Sequence, residues 1–320
     1  MSNKLVDINI ITGFLGVGKT TAILNLLNKK PIDERWVVIV NEIGKVAIDN
    51  KTISNSSIKG VEVSEIAGGC LCCTASDNFH EALVVALNNL NPDRILIEPS
   101  GLGHLSVLNQ TFQLPSITKL IEIKSTICLV DANHLNVIKI KTNEIYLEQL
   151  KEADVILINK ADVTEAETIS NFKHWLTETI GPKQFIGTTQ LGAIDPALLQ
   201  IENTQTLTET PFKPFIHHFN EKNIQLIPKT TPVAPTIEQP TLLSNQTEGF
   251  KAFGLLFHPE NCFVKYKLQL VLSQIATLRM KGIFQTTTGW FLFNRIDNYF
   301  SVLPANKNSD SRIECIFFEM

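Results

Sequence analysis

Short apolar runs alternate with amphipathic segments in the first part of the chain. Five runs are almost continuously apolar, as parallel strands are when helices cover both faces of their sheet: Val6–Ile11, Trp36–Val40, Arg94–Ile97, Thr126–Val130 and Asp154–Ile158. Between these runs apolar residues recur at helical spacing, as they do after Lys19 and after Ser76. The alternation predicts an α/β domain over residues 1–205, built on a doubly wound, mostly parallel sheet.

The pattern changes in the second part of the chain. Six of the 14 prolines lie between Pro211 and Pro240, where they exclude a regular helix or a central strand. We therefore predict a proline-rich linker over residues 206–247. Beyond it, one helical pattern from Val264 to Leu278 lies among several strand-like runs. Residues 248–320 are predicted to form a smaller α+β domain.

The composition of the chain argues against several classes of protein. The 320 residues are 44% hydrophobic and 19% charged, which predicts folded domains and excludes a disordered chain. A formal net charge of −4 argues against a general nucleic-acid binder, and no apolar run is long enough to predict a membrane span. Six cysteines in a chain of this length do not form a disulfide scaffold, so we expect a reducing, cytoplasmic location.

A complete phosphate-binding loop follows the first predicted strand. Its glycines allow successive backbone N–H groups to surround phosphate oxygens, and a helix begins directly after it. Lys19 is predicted to reach the β- and γ-phosphates, and the Thr20 hydroxyl to bind Mg²⁺. The predicted nucleotide contacts of this segment are Gly13, Gly16, Val17, Gly18, Lys19, Thr20 and Thr21.

Two other predicted strands end in residues that could bind the base, the magnesium ion or the phosphates of a nucleotide. Asn159-Lys160-Ala161-Asp162 is typical of a guanine-specificity loop, because the Asp162 carboxylate can accept from both N–H donors of guanine. Glu98 ends another strand and is predicted to hold Mg²⁺, while the backbone of Gly101 can approach the γ-phosphate. Each feature taken alone has another explanation. The sequence Asn159–Asp162 also occurs in the first turn of ordinary helices, and Glu98 could simply be an acid that caps a strand.

Three of the six cysteines, Cys70, Cys72 and Cys73, lie within four positions after a glycine pair. Thiolates this close favour a soft metal such as Zn²⁺ or Cu⁺. A tetrahedral zinc site needs a further ligand, so the set implies either one more residue or an open position. A redox-active or buried cluster is the alternative. The isolated cysteines, Cys128, Cys262 and Cys315, are predicted to be core residues.

These motifs together resemble the CobW-like metallochaperones of the SIMIBI class of P-loop GTPases. The resemblance is carried by GFLGVGKTT at Gly13–Thr21, NEIGKVAID at Asn41–Asp49, GGCLCC at Gly68–Cys73, EPSG at Glu98–Gly101 and NKAD at Asn159–Asp162. It implies a GTPase, with Lys19, Asp49 and Glu98 in catalysis, that delivers zinc or cobalt to a client metalloprotein. By the same resemblance, Glu42 joins the cysteines as a metal ligand and Asp49 contacts Mg²⁺ or the attacking water.

The chain departs from the family pattern in a few places. Ile43 and Lys45 stand where the family often has phenylalanine and an acid, and His217-His218 replaces a longer histidine-rich stretch. These histidines are either metal ligands or exposed linker residues. Two rival functions remain: a maturation GTPase for a cobalamin or nitrile-hydratase type of metalloenzyme, and a non-catalytic metal sensor that binds GTP. A homodimer is a further expectation that the sequence leaves open.

Overall fold

A computed structural model describes residues 4–41, 61–66, 75–204, 234–247, 250–296 and 299–318. The chain divides into two compact units, Met1–Gln205 and Thr206–Met320. Most of the predicted linker, residues 206–233, lies outside the described residues. In the part of the chain that is described, no helix has both the length and the apolar character needed to cross a bilayer.

The first unit is built on a seven-stranded sheet. Its strands are β1 (Val6–Thr12), β2 (Trp36–Asn41), β3 (Val61–Ile66), β4 (Arg94–Glu98), β5 (Ile121–Asp131), β6 (Val155–Asn159) and β7 (Phe185–Thr188). They lie in the order β3-β2-β4-β1-β5-β6-β7, and each neighbouring pair is parallel. The predicted doubly wound parallel sheet of a P-loop NTPase is confirmed.

Helices connect these strands. They are α1 (Lys19–Asn28), α2 (Ala75–Asn89), α3 (Ser106–Phe112), α4 (Pro115–Thr118), α5 (Ile138–Lys141), α6 (Glu144–Glu152) and α7 (Ala166–Thr179), with 3-10 helices at Ala132–Asn136 and Pro196–Gln200. The apolar stripe of α2 buries Phe79 and Leu83 against Ile95 and Ile97 of β4. Strand residues are covered in this way on both faces, which explains their continuous apolar runs.

The order of the strands places the predicted site. Chain order reverses at β1, which lies between β4 and β5, and a doubly wound sheet binds its ligands at the carboxyl ends of strands beside such a point. The phosphate loop follows β1, Glu98 ends β4, and Asn159 ends β6 in register with Asp131 at the end of β5. Parallel register therefore brings motifs that are distant in sequence to one edge of the sheet.

The sequence pattern did not predict β3 and β7. Both are edge strands, and β3 reads VEVSEI, so its polar residues interrupt the apolar run used to recognise the central strands. Strand β7 has only four residues, and none of them is fully buried. Edge strands pair on one side only, so their sequences carry a weaker hydrophobic signal.

The described residues of the second unit form a six-stranded sheet and one helix. Its strands are β8 (Thr241–Thr247), β9 (Phe250–Leu256), β10 (Arg279–Thr286), β11 (Gly289–Ile296), β12 (Tyr299–Pro304) and β13 (Arg312–Phe318), and its helix is α8 (Lys265–Gln274). The order is β12-β11-β10-β13-β9-β8, and all five neighbouring pairs are antiparallel. Leu272 of α8 packs with Met280, Phe284 and Phe293 of the sheet. The predicted smaller α+β domain is confirmed.

Two details of the prediction for this unit were wrong. Thr241–Thr247 was assigned to the linker, but it forms β8, which pairs with β9 along its full length. Its sequence TLLSNQT is mainly polar because β8 is an edge strand, with Leu243 buried and Leu242 exposed. Cys262 was predicted to be a core residue and is exposed, because it lies in the turn before α8. Cys128 is buried as predicted, and burial raises the pKa of its thiol to about 12.

Glu314 of β13 makes the stability of the second unit depend on pH. Burial raises the pKa of its carboxyl group from 4.5 to about 7, although Arg279 and Lys281 act in the opposite direction. Between these two pH values the folded chain keeps a proton that the unfolded chain has lost. The free energy of unfolding of this unit is therefore expected to fall as pH rises from about 5 to about 8.

The variant Glu314→Gln should flatten this pH dependence, because glutamine stays neutral throughout. Urea unfolding at several pH values, followed by the fluorescence of Trp290 in the same unit, measures the slope. Glu260→Gln replaces an exposed acid of the same unit and serves as the control. An unchanged slope in Glu314→Gln would show that this carboxyl group ionises normally.

Candidate functional site

The phosphate loop has the backbone conformation that its glycines predict. Gly13, Gly16 and Gly18 all have positive φ angles, of 136°, 73° and 100°. A side chain at Gly13 would also place a Cβ atom 2.2 Å from the carbonyl oxygen of Leu129 on β5. Helix α1 begins immediately afterwards at Lys19, so the N–H groups of its first turn and the positive end of its dipole lie at the loop.

Lys19 lies within the loop that precedes it. The side-chain ammonium donates to the carbonyl oxygens of Gly13 at 2.9 Å and Phe14 at 3.1 Å. The residue is only 8% exposed. A buried cation is therefore held among the backbone groups that the sequence predicts to surround phosphates.

Thr20 and Glu98 meet beside the loop. The Thr20 hydroxyl donates to the two Glu98 carboxylate oxygens, at 3.1 and 3.3 Å, and Glu98 is 6% exposed at the end of β4. A hydroxyl and a carboxylate in contact form the hard oxygen donor set that Mg²⁺ prefers. The chemistry of these two residues fits the magnesium site predicted for them.

Gly101 approaches the phosphate loop closely. A Cβ atom at this position would lie 2.9 Å from Leu15 Cδ2, 3.0 Å from the Leu15 backbone nitrogen and 3.0 Å from Lys19 Nζ. The side-chain amide of Gln149 on α6 donates to the Gly101 carbonyl oxygen at 3.2 Å and fixes the backbone at this position. A larger residue here would require Leu15 and Lys19 to shift, and the Gly101 backbone lies beside the Lys19 ammonium.

Asn159 connects three loops of the site. Its side-chain amide donates to the Val17 carbonyl oxygen at 2.8 Å, and its side-chain oxygen accepts from the Gly192 backbone N–H at 3.0 Å. Gly192 has a φ of 68° and packs against Ala22 of α1, where a Cβ atom would lie 2.8 Å from the Ala22 nitrogen. The Asn159–Asp162 loop, the phosphate loop and the loop after β7 are thereby held in one arrangement.

Lys160 and Asp162 differ in how they are held. Lys160 has a φ of 59°, and its ammonium pairs with Asp131 Oδ2 at 2.7 Å. Asp162 is exposed, and none of the described residues hydrogen-bonds its carboxylate. The Ala161 N–H donates to the Thr189 carbonyl oxygen at 3.1 Å and fixes the backbone between them. An exposed carboxylate on a fixed backbone is suited to recognising a ligand.

A buried aromatic cluster backs the phosphate loop. The rings of Phe14, His134 and Tyr146 lie edge to face, with centroids 5.8–5.9 Å apart. Burial lowers the pKa of His134 to about 4 and raises that of Tyr146 well above its ordinary value. Both side chains are therefore neutral near pH 7, and they support the loop by packing.

The other predicted site residues lie outside the described residues. They are Glu42, Asp49, Cys70, Cys72, Cys73, His217 and His218. Within the described ranges, no group of three or more His, Cys, Asp or Glu side chains is arranged to hold a metal ion. The transition-metal site therefore stays a prediction from the sequence.

Sequence reasoning missed three residues that shape the site: Asp131, Gln149 and Gly192. Asp131 was detectable in principle, because it is an acid at the end of an apolar strand, like Glu98. Gln149 lies on an amphipathic helix, and Gly192 follows the short strand β7, so neither carries a recognisable local signal.

The chain is similar to proteins of one nucleotide-binding family. A family model described as the CobW/HypB/UreG nucleotide-binding domain matches residues 7–186. Zinc chaperone YeiR of Escherichia coli strain K12 is 33% identical over 310 residues, or 96% of this chain and 92% of YeiR. Zinc chaperone YjiA of the same strain is 31% identical over 226 residues, or 68% of each chain. Zinc-regulated GTPase metalloprotein activator 1 of Schizosaccharomyces pombe is 25% identical over 334 residues, or 97% of this chain and 79% of the activator.

Proposed function

Because this chain belongs to the CobW/HypB/UreG family of nucleotide-binding domains, we propose that it is a GTP-hydrolysing zinc chaperone. It binds GTP with Mg²⁺ at the phosphate loop and Zn²⁺ at the cysteine triplet, and it transfers the zinc ion to a client metalloprotein. The proposed binding of GTP with Mg²⁺ rests on one observation: Thr20 contacts Glu98 beside the loop in which the Lys19 side chain is bound.

The phosphate loop supplies the chemistry of hydrolysis. Lys19 moves its hydrogen bonds from the loop carbonyls to the β- and γ-phosphate oxygens, and the backbone N–H groups of Gly16 and Gly18 donate to the same anion. Thr20 and Glu98 would hold Mg²⁺, which neutralises phosphate charge when it is bound. The Gly101 backbone lies beside Lys19 and binds a γ-phosphate oxygen. Asp49 orients the attacking water.

The Asn159–Asp162 loop selects the base. The exposed Asp162 carboxylate accepts from N1–H and the exocyclic amine of guanine, while adenine offers no such donor pair. Asn159 holds this loop against the phosphate loop, through Val17, so base and phosphates are recognised at a fixed separation. This coupling supports a nucleotide site specific for guanine.

The cysteine triplet carries the zinc part of the proposal. Cys70, Cys72 and Cys73 supply thiolates, Glu42 adds an oxygen ligand, and the set suits Zn²⁺, with Co²⁺ as the alternative cargo. Two relatives that cover at least two thirds of the chain are named zinc chaperones, which supports zinc as the ion. Free thiolates need a reducing compartment, so we place the reaction in the cytoplasm.

One rival function has support of its own. A relative aligned over 97% of the chain is named a GTPase metalloprotein activator, which favours a role in maturing a client metalloenzyme. Such an activator would remodel its client without carrying a metal ion. A GTP-dependent metal sensor is the second rival, and it would release no phosphate.

The decisive experiment measures zinc affinity in two nucleotide states. If the γ-phosphate helps to order the cysteine loop, a non-hydrolysable GTP analogue should raise zinc affinity over the GDP state by about 5–150-fold. By linkage, zinc should raise affinity for the GTP analogue by the same factor. Competition with a chromophoric chelator measures the first effect, and zinc binding should release protons from the thiols.

Replacing Cys70, Cys72 and Cys73 together with serine should abolish this coupling and leave basal GTP binding intact, because the nucleotide loops lie elsewhere. Cys262→Ser is the matched control, since Cys262 is exposed and lies in the second unit. Equal zinc affinities in the two nucleotide states would exclude a GTP-controlled chaperone. Phosphate release measured in parallel separates the chaperone from the sensor.

A further inference from the structure

Asp131 is a buried acid at the edge of the proposed nucleotide site. It ends β5 and is 5% exposed, and its register partner on β6 is Asn159. Its Oδ1 atom accepts from the backbone N–H and the side-chain amide of Asn133, both at 3.0 Å. Its Oδ2 atom accepts from the Lys160 ammonium at 2.7 Å. One oxygen thus caps the 3-10 helix Ala132–Asn136, and the other holds a lysine.

The charge of Asp131 is maintained by that lysine. Burial alone would disfavour the ionised carboxyl group, but the pKa of Asp131 lies below its ordinary value, and the hydrogen bond and the charge of Lys160 are the largest effects that lower it. Charge-assisted hydrogen bonds of this kind are stronger than those between neutral groups. The pair is therefore a stable connection between the ends of β5 and β6.

Lys160 is held at both ends. Its backbone has a φ of 59°, which is uncommon outside glycine, and the Thr164 hydroxyl donates to its carbonyl oxygen at 2.8 Å. Its ammonium is bound by Asp131, yet the side chain remains 34% exposed. An unrestrained lysine samples many rotamers, and ordering it during binding costs free energy. Here the structure orders the lysine before a ligand arrives.

We propose that Asp131 is a positioning residue for guanine binding, which holds Lys160 extended so that its methylene stem packs against the plane of the base. Asp162, two residues further on, then reads the edge of the same base. This inference rests on the proposed GTP binding and adds a residue that no nucleotide-binding motif of the chain contains. Asp131 acts only through Lys160, and it touches neither the base nor the phosphates.

The variant Asp131→Asn tests this role selectively. Asparagine can still accept from the Asn133 N–H, so the cap is kept, but it has no charge to hold the lysine. Affinity for GDP is expected to fall about fivefold to tenfold. Affinity for inorganic tripolyphosphate, which has no base, should not change. Displacement of a fluorescent GDP analogue from the full chain measures both affinities.

Two further variants separate positioning from general damage. In a Lys160→Gln background, Asp131→Asn should cause no additional loss of GDP affinity, because its effect passes through the lysine. Asp195→Asn is the matched control: Asp195 caps the 3-10 helix Pro196–Gln200 through the Ala197 N–H at 3.0 Å but holds no lysine. Its GDP affinity should equal that of the unmodified chain.

Three results would overturn the inference. They are unchanged GDP affinity in Asp131→Asn, an equal loss for tripolyphosphate, and an equal loss in the Lys160→Gln background. Failure of the unmodified chain to bind GDP would instead contradict the proposed nucleotide function. The two failures are therefore distinguishable in one set of measurements.

Discussion

Lys19→Ala is expected to lower kcat for GTP hydrolysis by about a thousandfold or more. Lys19 is 8% exposed, and its ammonium donates to the Gly13 and Phe14 carbonyl oxygens, within the loop proposed to surround the phosphates. Phosphoryl transfer depends mainly on charge stabilisation, and removal of this cation leaves developing negative charge uncompensated in a site with little water.

Two further variants test whether the loss of activity comes from the missing charge of Lys19. Lys19→Met keeps the apolar stem and removes only the charge, so it should lose as much activity as Lys19→Ala. Lys29→Ala is the control, because Lys29 lies just after the other end of α1 and its ammonium also donates to a carbonyl oxygen, that of Ile194 at 3.1 Å. Steady-state phosphate release at saturating GTP measures kcat. Near-normal hydrolysis in both Lys19 variants would show that this loop is not the active site.

Asp162→Asn is expected to reverse the preference of the chain between guanine and xanthine nucleotides. In the proposed site the carboxylate of Asp162 accepts two hydrogen bonds from guanine, whereas the amide of the variant could donate to the 2-oxo group of xanthine. Affinity for GDP should fall at least about a hundredfold, and affinity for xanthosine diphosphate should rise. Competition against a fluorescent nucleotide measures both values.

Glu165→Gln is the control for Asp162→Asn. Glu165 is exposed, lies three residues further on and undergoes the same change of charge. The nucleotide preference of this variant should stay that of the unmodified chain, because Glu165 is the N-cap residue of α7 and lies outside the proposed base loop Asn159–Asp162. If the unmodified chain bound ATP as tightly as GTP, the assignment of Asp162 to guanine would be wrong.

The central strands and the phosphate loop could be predicted because their causes are local. Glycine at positions 13, 16 and 18 is required by positive φ angles, which other residues adopt only at a cost. Strands covered on both faces need continuous apolar runs, and β2, β4 and β6 have them. Each of these signals lies within about ten residues of the feature that it predicts.

The edge strands β3, β7 and β8 could not be predicted in the same way. Strands β3, β7 and β8 are short or partly polar, and each is paired on one side only. Their strand conformation depends on hydrogen bonds to a neighbour that is distant in sequence, as β8 depends on β9. Local propensity carries little of that information.

The sequence by itself determined the motifs of this protein, and it predicted their roles: phosphate binding at Lys19, magnesium binding at Thr20 and Glu98, and base recognition at Asp162. Only the tertiary structure decided how these parts are held together. Parallel register places Asp131 beside Asn159, and the loops after β6 and β7 meet the phosphate loop through Asn159 and Gly192. A motif is recognisable where a ligand requires particular residues at fixed spacing. The residues that hold a motif in place are determined by the geometry between segments that are distant in sequence. Many residue types at many sequence positions can satisfy that geometry, so these residues form no recognisable pattern.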